Sequence, residues 1–200
     1  LINKRDNSMK IIQIILLTFM IGVISGQDYV GTHKCKMCHK KDKTGNQFKI
    51  WSKSRHANAF ETLKTDEAIK IAKEKGLGNP WEEESCVKCH VTGLGKGGFE
   101  IKDAKFWTQT KDNGKPTKAV KRMENLKGIG CEVCHGPGSK YKSKKKMVAI
   151  NKGTMDGSKL GLIEPTEKLC IQCHNEESPS YKSFNFEAFY LKIAHPIATH

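Results

Sequence analysis

Gly128-Ile129-Gly130-Cys131-Glu132-Val133-Cys134-His135-Gly136-Pro137-Gly138 holds two cysteines three positions apart, a histidine directly after the second, and glycines on both sides. Its Cys-x-x-Cys-His core recurs as Cys35-Lys36-Met37-Cys38-His39, Cys86-Val87-Lys88-Cys89-His90 and Cys170-Ile171-Gln172-Cys173-His174. The four copies consume all eight cysteines of the chain. This pattern is the attachment signature of c-type haem. Each thiol bonds one vinyl group of the porphyrin, and the adjoining histidine becomes the proximal ligand of the iron. The spacing matters because two sulfurs must reach two fixed vinyl positions while the imidazole points inward. Eight cysteines can also form two four-thiolate zinc sites, but zinc has no need of a histidine after every second cysteine. The expected cofactors are therefore four haem c groups. They are attached through Cys35, Cys38, Cys86, Cys89, Cys131, Cys134, Cys170 and Cys173, with iron on His39, His90, His135 and His174.

Composition supports an interior that is not all protein. Only 37% of the 200 residues are hydrophobic and 8% aromatic, with 18 glycines. One domain of this size would have a thin core. The expected fold is mainly α with long loops, a compact multihaem c-type cytochrome whose haem stack forms much of the core.

Met9-Lys10 precedes an apolar run from Ile11 to Ile24 and then the small residues Ser25 and Gly26. A basic start, a short apolar stretch and small residues at its end describe a secretory signal peptide. The run is shorter than the ~20 residues of a spanning helix. Residues 1–26 are thus expected to be an N-terminal extension and signal peptide, and 27–200 the tetrahaem domain, with no stable membrane span after cleavage. The location is periplasmic or extracellular, where haem is attached and nucleic acid is not an expected partner. The formal charge of +14 becomes +12 without residues 1–26. Four haems lower it to about +8, counting about −1 each, so a net positive field remains to steer acidic redox partners. The densest basic run comprises Lys140, Lys142 and Lys144 to Lys146.

Between the motifs, Asn46 to Lys64 has Phe48, Trp51, His56, Ala59, Phe60 and Leu63 at helical spacing, which predicts one helix. Thr65, followed by Asp66 and Glu67, reads as a helix cap, with Gly76 as the stop. Phe99 to Ile101 reads as a short strand and residues 108–118 as a surface loop. Gly136-Pro137-Gly138 forces a turn. Thr166 reads as the cap of the helix carrying the fourth motif, and Asn185 to Ala194 as a final aromatic helix ended by Pro196. Glu124 and Glu132, near the third motif, read as ordinary surface charges no less readily than as an acid–base constellation.

Four histidines remain for the sixth iron positions: His33, His56, His195 and His200. His56 lies among apolar residues, and His195 follows the aromatic helix, so both are candidate ligands. His33 stands too close to Cys35 to reach the far face of the first haem. It is a candidate ligand for another haem or for a neighbouring subunit. His200 is terminal, where chains usually fray.

The chain resembles the tetrahaem cytochrome c-554 family from about Tyr29 to His195. The likeness is carried by Gly31-Thr32-His33-Lys34-Cys35, Trp51-Ser52-Lys53-Ser54-Arg55-His56-Ala57, Cys86 to Gly93, Gly128 to Gly138 and Phe186 to Pro196. That resemblance implies a compact helical protein with closely packed haems, three six-coordinate and one open. It implies distal-ligand roles for His56 and His195. The family's further distal histidine, shortly after Gly-Pro-Gly, is replaced here by Lys144-Lys145-Lys146-Met147, and Met147 is a candidate substitute that would raise that haem's potential.

The function expected from these readings is extracytoplasmic electron transfer, with periplasmic redox proteins as partners. The alternatives are a haem enzyme acting on nitric oxide or hydroxylamine at an open iron, and a polymeric filament bridged by His33 or His200. Pyridine haemochrome of the purified protein is expected to return four c-type haems per chain. A smaller number would remove the reading on which the rest depends.

Overall fold

The computed structural model describes residues 28–197. The N-terminal segment read as a signal peptide and His200 lie outside the described residues. Among the described residues, eleven α-helices, none longer than nine residues, are separated by turns and loops. Among the described residues there is no strand, only isolated bridges joining Val91 to Lys127 and Thr110 to Pro116. The mainly α architecture with long loops is therefore present. No described helix is long and apolar enough to cross a membrane.

Local sequence fixes many helix starts. The Thr65 hydroxyl accepts from the Ala68 amide to open Asp66–Glu74, and Gly76 follows with φ 68°. Asp103, Thr117, Ser143 and Asn185 cap Ala104–Trp107, Lys118–Glu124, Lys144–Asn151 and Phe186–Ile193 in the same way. Each such bond satisfies an amide that the first helical turn leaves without a partner. Thr166 occupies the capping position before Glu167–Cys170, but its side chain makes no capping bond.

Two expectations are corrected. Residues 46–64 do not form one helix. They divide into Gln47–Ser52, a 3-10 turn at His56–Asn58, and Ala59–Thr62. The break has a tertiary cause. The Trp51 indole donates to the Ile129 carbonyl at 2.8 Å, and the His56 carbonyl accepts from the Ile129 amide at 2.9 Å. Ile129 thus grips the segment on both sides of the bend. Phe99 to Ile101 is not a strand. The Gly93–Gly98 loop closes on itself, so that the Phe99 amide reaches the Thr92 carbonyl at 2.9 Å.

Phe99 instead belongs to the core, with Phe60, Leu63, Val87, Val91, Met123 and Leu126. The Phe60 and Phe99 rings lie 5.7 Å apart. This cluster packs behind the second motif, since Val87 is one of that motif's intervening residues. The apolar intervening residues of the first and fourth motifs, Met37 and Ile171, are exposed. The polypeptide's own core therefore backs one motif and leaves apolar side chains of two others unpacked by protein.

The third motif is held differently. Glu132 is 2% exposed, the one buried charged side chain among the described residues. It is not the surface charge that sequence suggested. Its carboxylate accepts from the amides of Val30 at 2.8 and 3.0 Å, Gly31 at 2.7 Å and Gly138 at 2.6 Å. A buried carboxylate requires such donors to offset its lost hydration. Glu124, by contrast, sits in a surface ion pair with Lys127 at 2.6 Å. Glu132→Ala strands three amides and is expected to cost about 3 kcal/mol or more of unfolding free energy. Glu132→Gln retains one acceptor oxygen and should lose less. Denaturant titration of the purified variants ranks them, and equal losses would contradict the clamp.

Candidate metal centres

Each motif presents its cysteines and histidine from a single helical turn. The first occupies the end of Thr32–His39, and the third fills Cys131–His135. The second continues from Glu84–Val87 into a turn, closed by the His90 amide on the Val87 carbonyl at 2.8 Å. The fourth follows Glu167–Cys170 likewise, with the His174 amide on the Cys170 carbonyl at 2.9 Å. Helical winding places the histidine one turn from the first cysteine of its motif. Gly136, with φ 75°, ends the third motif's helix, and a side chain there would strike the Gly161 carbonyl oxygen at 2.2 Å.

The motifs meet in alternate order. The Cys35 and Cys131 thiols face each other, an interaction that raises the Cys35 pKa and lowers that of Cys131. Cys89 and Cys173 do the same, with Cys89 brought down to about 7 by that interaction, assisted by the Lys88 ammonium. Lys88 also pairs with Glu177 at 2.6 Å. The first motif therefore abuts the third, and the second abuts the fourth. Burial, with Cys170 and Cys131 nearby, pushes Cys134 up to about 11. No disulfide joins any of the eight cysteines.

Two motif histidines face histidines from elsewhere in the chain. The His56 and His174 ring centroids are 5.9 Å apart, and those of His135 and His195 are 5.8 Å apart. Two imidazoles on opposite sides of one metal ion, each bonded at about 2 Å, have centroids roughly 6 Å apart. The pairs match that requirement. Burial foremost, and the facing His174, hold His56 below the usual imidazole range. Burial and His195 do the same to His135. Both effects favour the neutral ring that a metal requires. Phe184 stacks on His174 at 4.7 Å and 14°, fixing that ring from the side.

The other two motif histidines are oriented through Nδ1. His90 has the Ala59 carbonyl at 2.5 Å and the Thr62 hydroxyl at 3.2 Å. His39 meets the Gln47 amide oxygen at 3.2 Å. A backbone or amide acceptor at Nδ1 keeps the proton there and leaves Nε2 as the coordinating nitrogen.

His33 and Met147 are placed elsewhere. His33 is exposed, beside a cleft of ≈ 250 Å³ that Phe48 and Trp51 help to line. It makes no ring contact with a motif histidine among the described residues. Met147 is half-buried on the basic helix Lys144–Asn151.

The donor set fits haem and not zinc. A structural zinc site gathers four ligands, and no group of three or more His, Cys, Asp or Glu among the described residues is placed to hold a metal ion. Haem iron asks only for an axial pair from the protein. Sequence reading singled out the motif residues and His56 and His195 as candidates. It missed the orienting partners Gln47, Thr62 and the Ala59 carbonyl, for which no motif exists, and also Phe184.

Comparison with known proteins agrees with this geometry. The family described as cytochrome c554 and c-prime matches residues 34–136. Cytochrome c-554 of Nitrosomonas europaea is 33% identical over 167 residues, covering 77% of this chain. The chain spans 61% of that relative's length. The solved structure of the reduced state of cytochrome c554 from Nitrosomonas europaea superposes with a TM-score of 0.51 at 28% identity. It covers 84% of this chain and 79% of that one. With its matched region running through the first three motifs and more than half of the sequence, this chain belongs to the cytochrome c554 and c-prime family.

Proposed function

We propose that this chain is an electron-transfer protein working outside the cytoplasm and carrying four covalent haem c groups. The observation that carries the reading is the pairing of His174 with His56 and of His135 with His195 at the separation a shared iron demands. Bound there, haem supplies a one-electron ferric–ferrous couple. The chain's residues do the rest. The eight motif cysteines fix position, and His39, His90, His135 and His174 hold iron from the proximal side. His56 and His195 would supply the second imidazole to the irons held by His174 and His135. His33 and Met147 are the chain's further candidates as sixth ligands. An iron held by two imidazoles would have no open position for a substrate, which suits a carrier. Residues 27–200 form the haem-bearing unit, residues 1–26 direct export, and the partners are acidic redox proteins of the same compartment.

The resting ferric protein, examined by visible and EPR spectroscopy, is expected to show two bis-imidazole low-spin centres from the two pairs. His56→Ala and His195→Ala should each convert one different centre to high spin while the haem count stays at four. Loss of the same centre in both variants would refute the pairing. A high-spin signal in the unaltered protein that responds to nitric oxide would transfer the reading to an enzyme with an open iron.

The basic surface supplies a second test. Electron transfer to an acidic soluble redox protein is expected to slow several-fold between ~0.01 and ~0.15 M salt, as the Debye length falls from about 30 to about 8 Å. A rate independent of salt would argue against an acidic partner.

A further inference from the structure

Gln47 is a buried polar side chain, 7% exposed, that the attachment motifs do not explain. Its Nε2 lies 2.6 Å from the Thr44 carbonyl oxygen and 3.0 Å from the Pro196 carbonyl oxygen. Carbonyl oxygens only accept, so the NH2 end of the amide must face them, and both of its protons are used. The amide oxygen is then the end that faces His39 Nδ1, at 3.2 Å. An oxygen there can only accept, so His39 must carry its proton on Nδ1. The amide orientation and the histidine tautomer are thus fixed by two carbonyls, with no assumption about either.

The same amide reaches a second ligand histidine. His195 Nδ1 lies 3.2 Å from the Pro196 carbonyl oxygen, the acceptor that Gln47 also uses. Space around the amide is tight. A Cβ at Gly45 would stand 2.7 Å from Gln47 Nε2 and 3.2 Å from the Pro196 Cβ. The loop after the first motif and the chain end after His195 therefore close on one side chain, joining positions 149 residues apart.

We propose that Gln47 is a shared positioning residue that sets the electron-donating strength of His39 and, through the Pro196 carbonyl, of His195. The inference rests on the haem reading above. A stronger acceptor at Nδ1 makes an imidazole a better donor to iron, which stabilises the ferric state and lowers the potential. A lost acceptor does the reverse. The two ends of the amide act with different signs. At His39 the oxygen is the acceptor itself. At Pro196 the NH2 competes with His195 for one carbonyl, so its loss leaves that carbonyl a stronger acceptor for His195.

The test is spectroelectrochemical titration of the holoprotein carrying Gln47→Leu or Gln47→Glu, each first shown to hold four haems by pyridine haemochrome. At the centre held by His39, Gln47→Leu is expected to raise the potential and Gln47→Glu to lower it. At the centre shared by His135 and His195, both variants lose the NH2 donor, and both should lower the potential. A merely structural role would move the His39 centre the same way in both variants, and that result, or no shift, would overturn the inference. Should Gln47→Leu fail to accumulate, Gln47→Met takes its place as the uncharged variant without an acceptor, and a potential at the His39 centre that does not rise overturns the inference. Fewer than four haems in the unaltered protein would count against the haem reading itself.

Discussion

The Glu132 carboxylate ties the 30–31 segment leading into the first motif, about a hundred residues away in sequence, to the third motif and the Gly-Pro-Gly turn that follows it. Without it, the Val30 and Gly31 amides would face a buried region with nothing to accept them. Around this clamp the backbone is packed to its limit. The Gly130 amide donates to the Thr92 hydroxyl at 2.9 Å, and the Thr92 hydroxyl donates to the Gly128 carbonyl. A side chain at Gly130 would meet the Thr32 hydroxyl at 2.4 Å. The glycines flanking the third motif therefore answer to close approach. The first motif, the turn beyond the second and the start of the third converge there. The contact between the Cys35 and Cys131 thiols follows from that convergence.

The attachment chemistry was legible in the sequence because covalent bonding to a rigid ring demands one spacing, repeated without variation. Helix caps such as Thr65 and Asn185 were legible because they depend on residues within one turn. The pairing of motifs was not, since nothing in Cys35 or Cys131 encodes which other motif it will touch. Residues 46–64 show the limit of periodicity. Phe48, Trp51, Phe60 and Leu63 fall at helical spacing, yet the Ile129 backbone bends the chain between them. Glu132 was misread because a carboxylate beside a cysteine has the same letter on a surface as in a core. The surrounding Gly-x-Gly-Cys-Glu and Gly-Pro-Gly pattern, already distinctive in the sequence, was the available signal. Gln47 had no such signal, because its role consists of three partners that come together only after folding.

The two histidine pairs also explain how a chain with so few apolar residues keeps its ligands in place. His56 is held by its carbonyl bond to Ile129, and His174 by the flat stacking of Phe184. His195 rides on the end of Phe186–Ile193, whose Phe189 lies 6.4 Å from His174. The C-terminal helix thus serves the fourth motif with its aromatic face and the third with its terminal histidine. Its outer side, where Leu191 is 77% exposed, contributes to neither.

The alternate meeting of the motifs has a bearing on how such a protein is made. Cys35 and Cys131 lie 96 residues apart, and Cys89 and Cys173 lie 84 apart. A chain that emerges from its N-terminus has two motifs exposed before either finds its neighbour, and the second pair is completed only when the fourth motif appears. A cut between the second and third motifs separates Cys35 from Cys131 and Cys89 from Cys173, and leaves only the approach of Cys134 to Cys170 within one half. The interleaving ties the two halves of the chain into a single unit of assembly, because each motif of the first half meets a motif of the second.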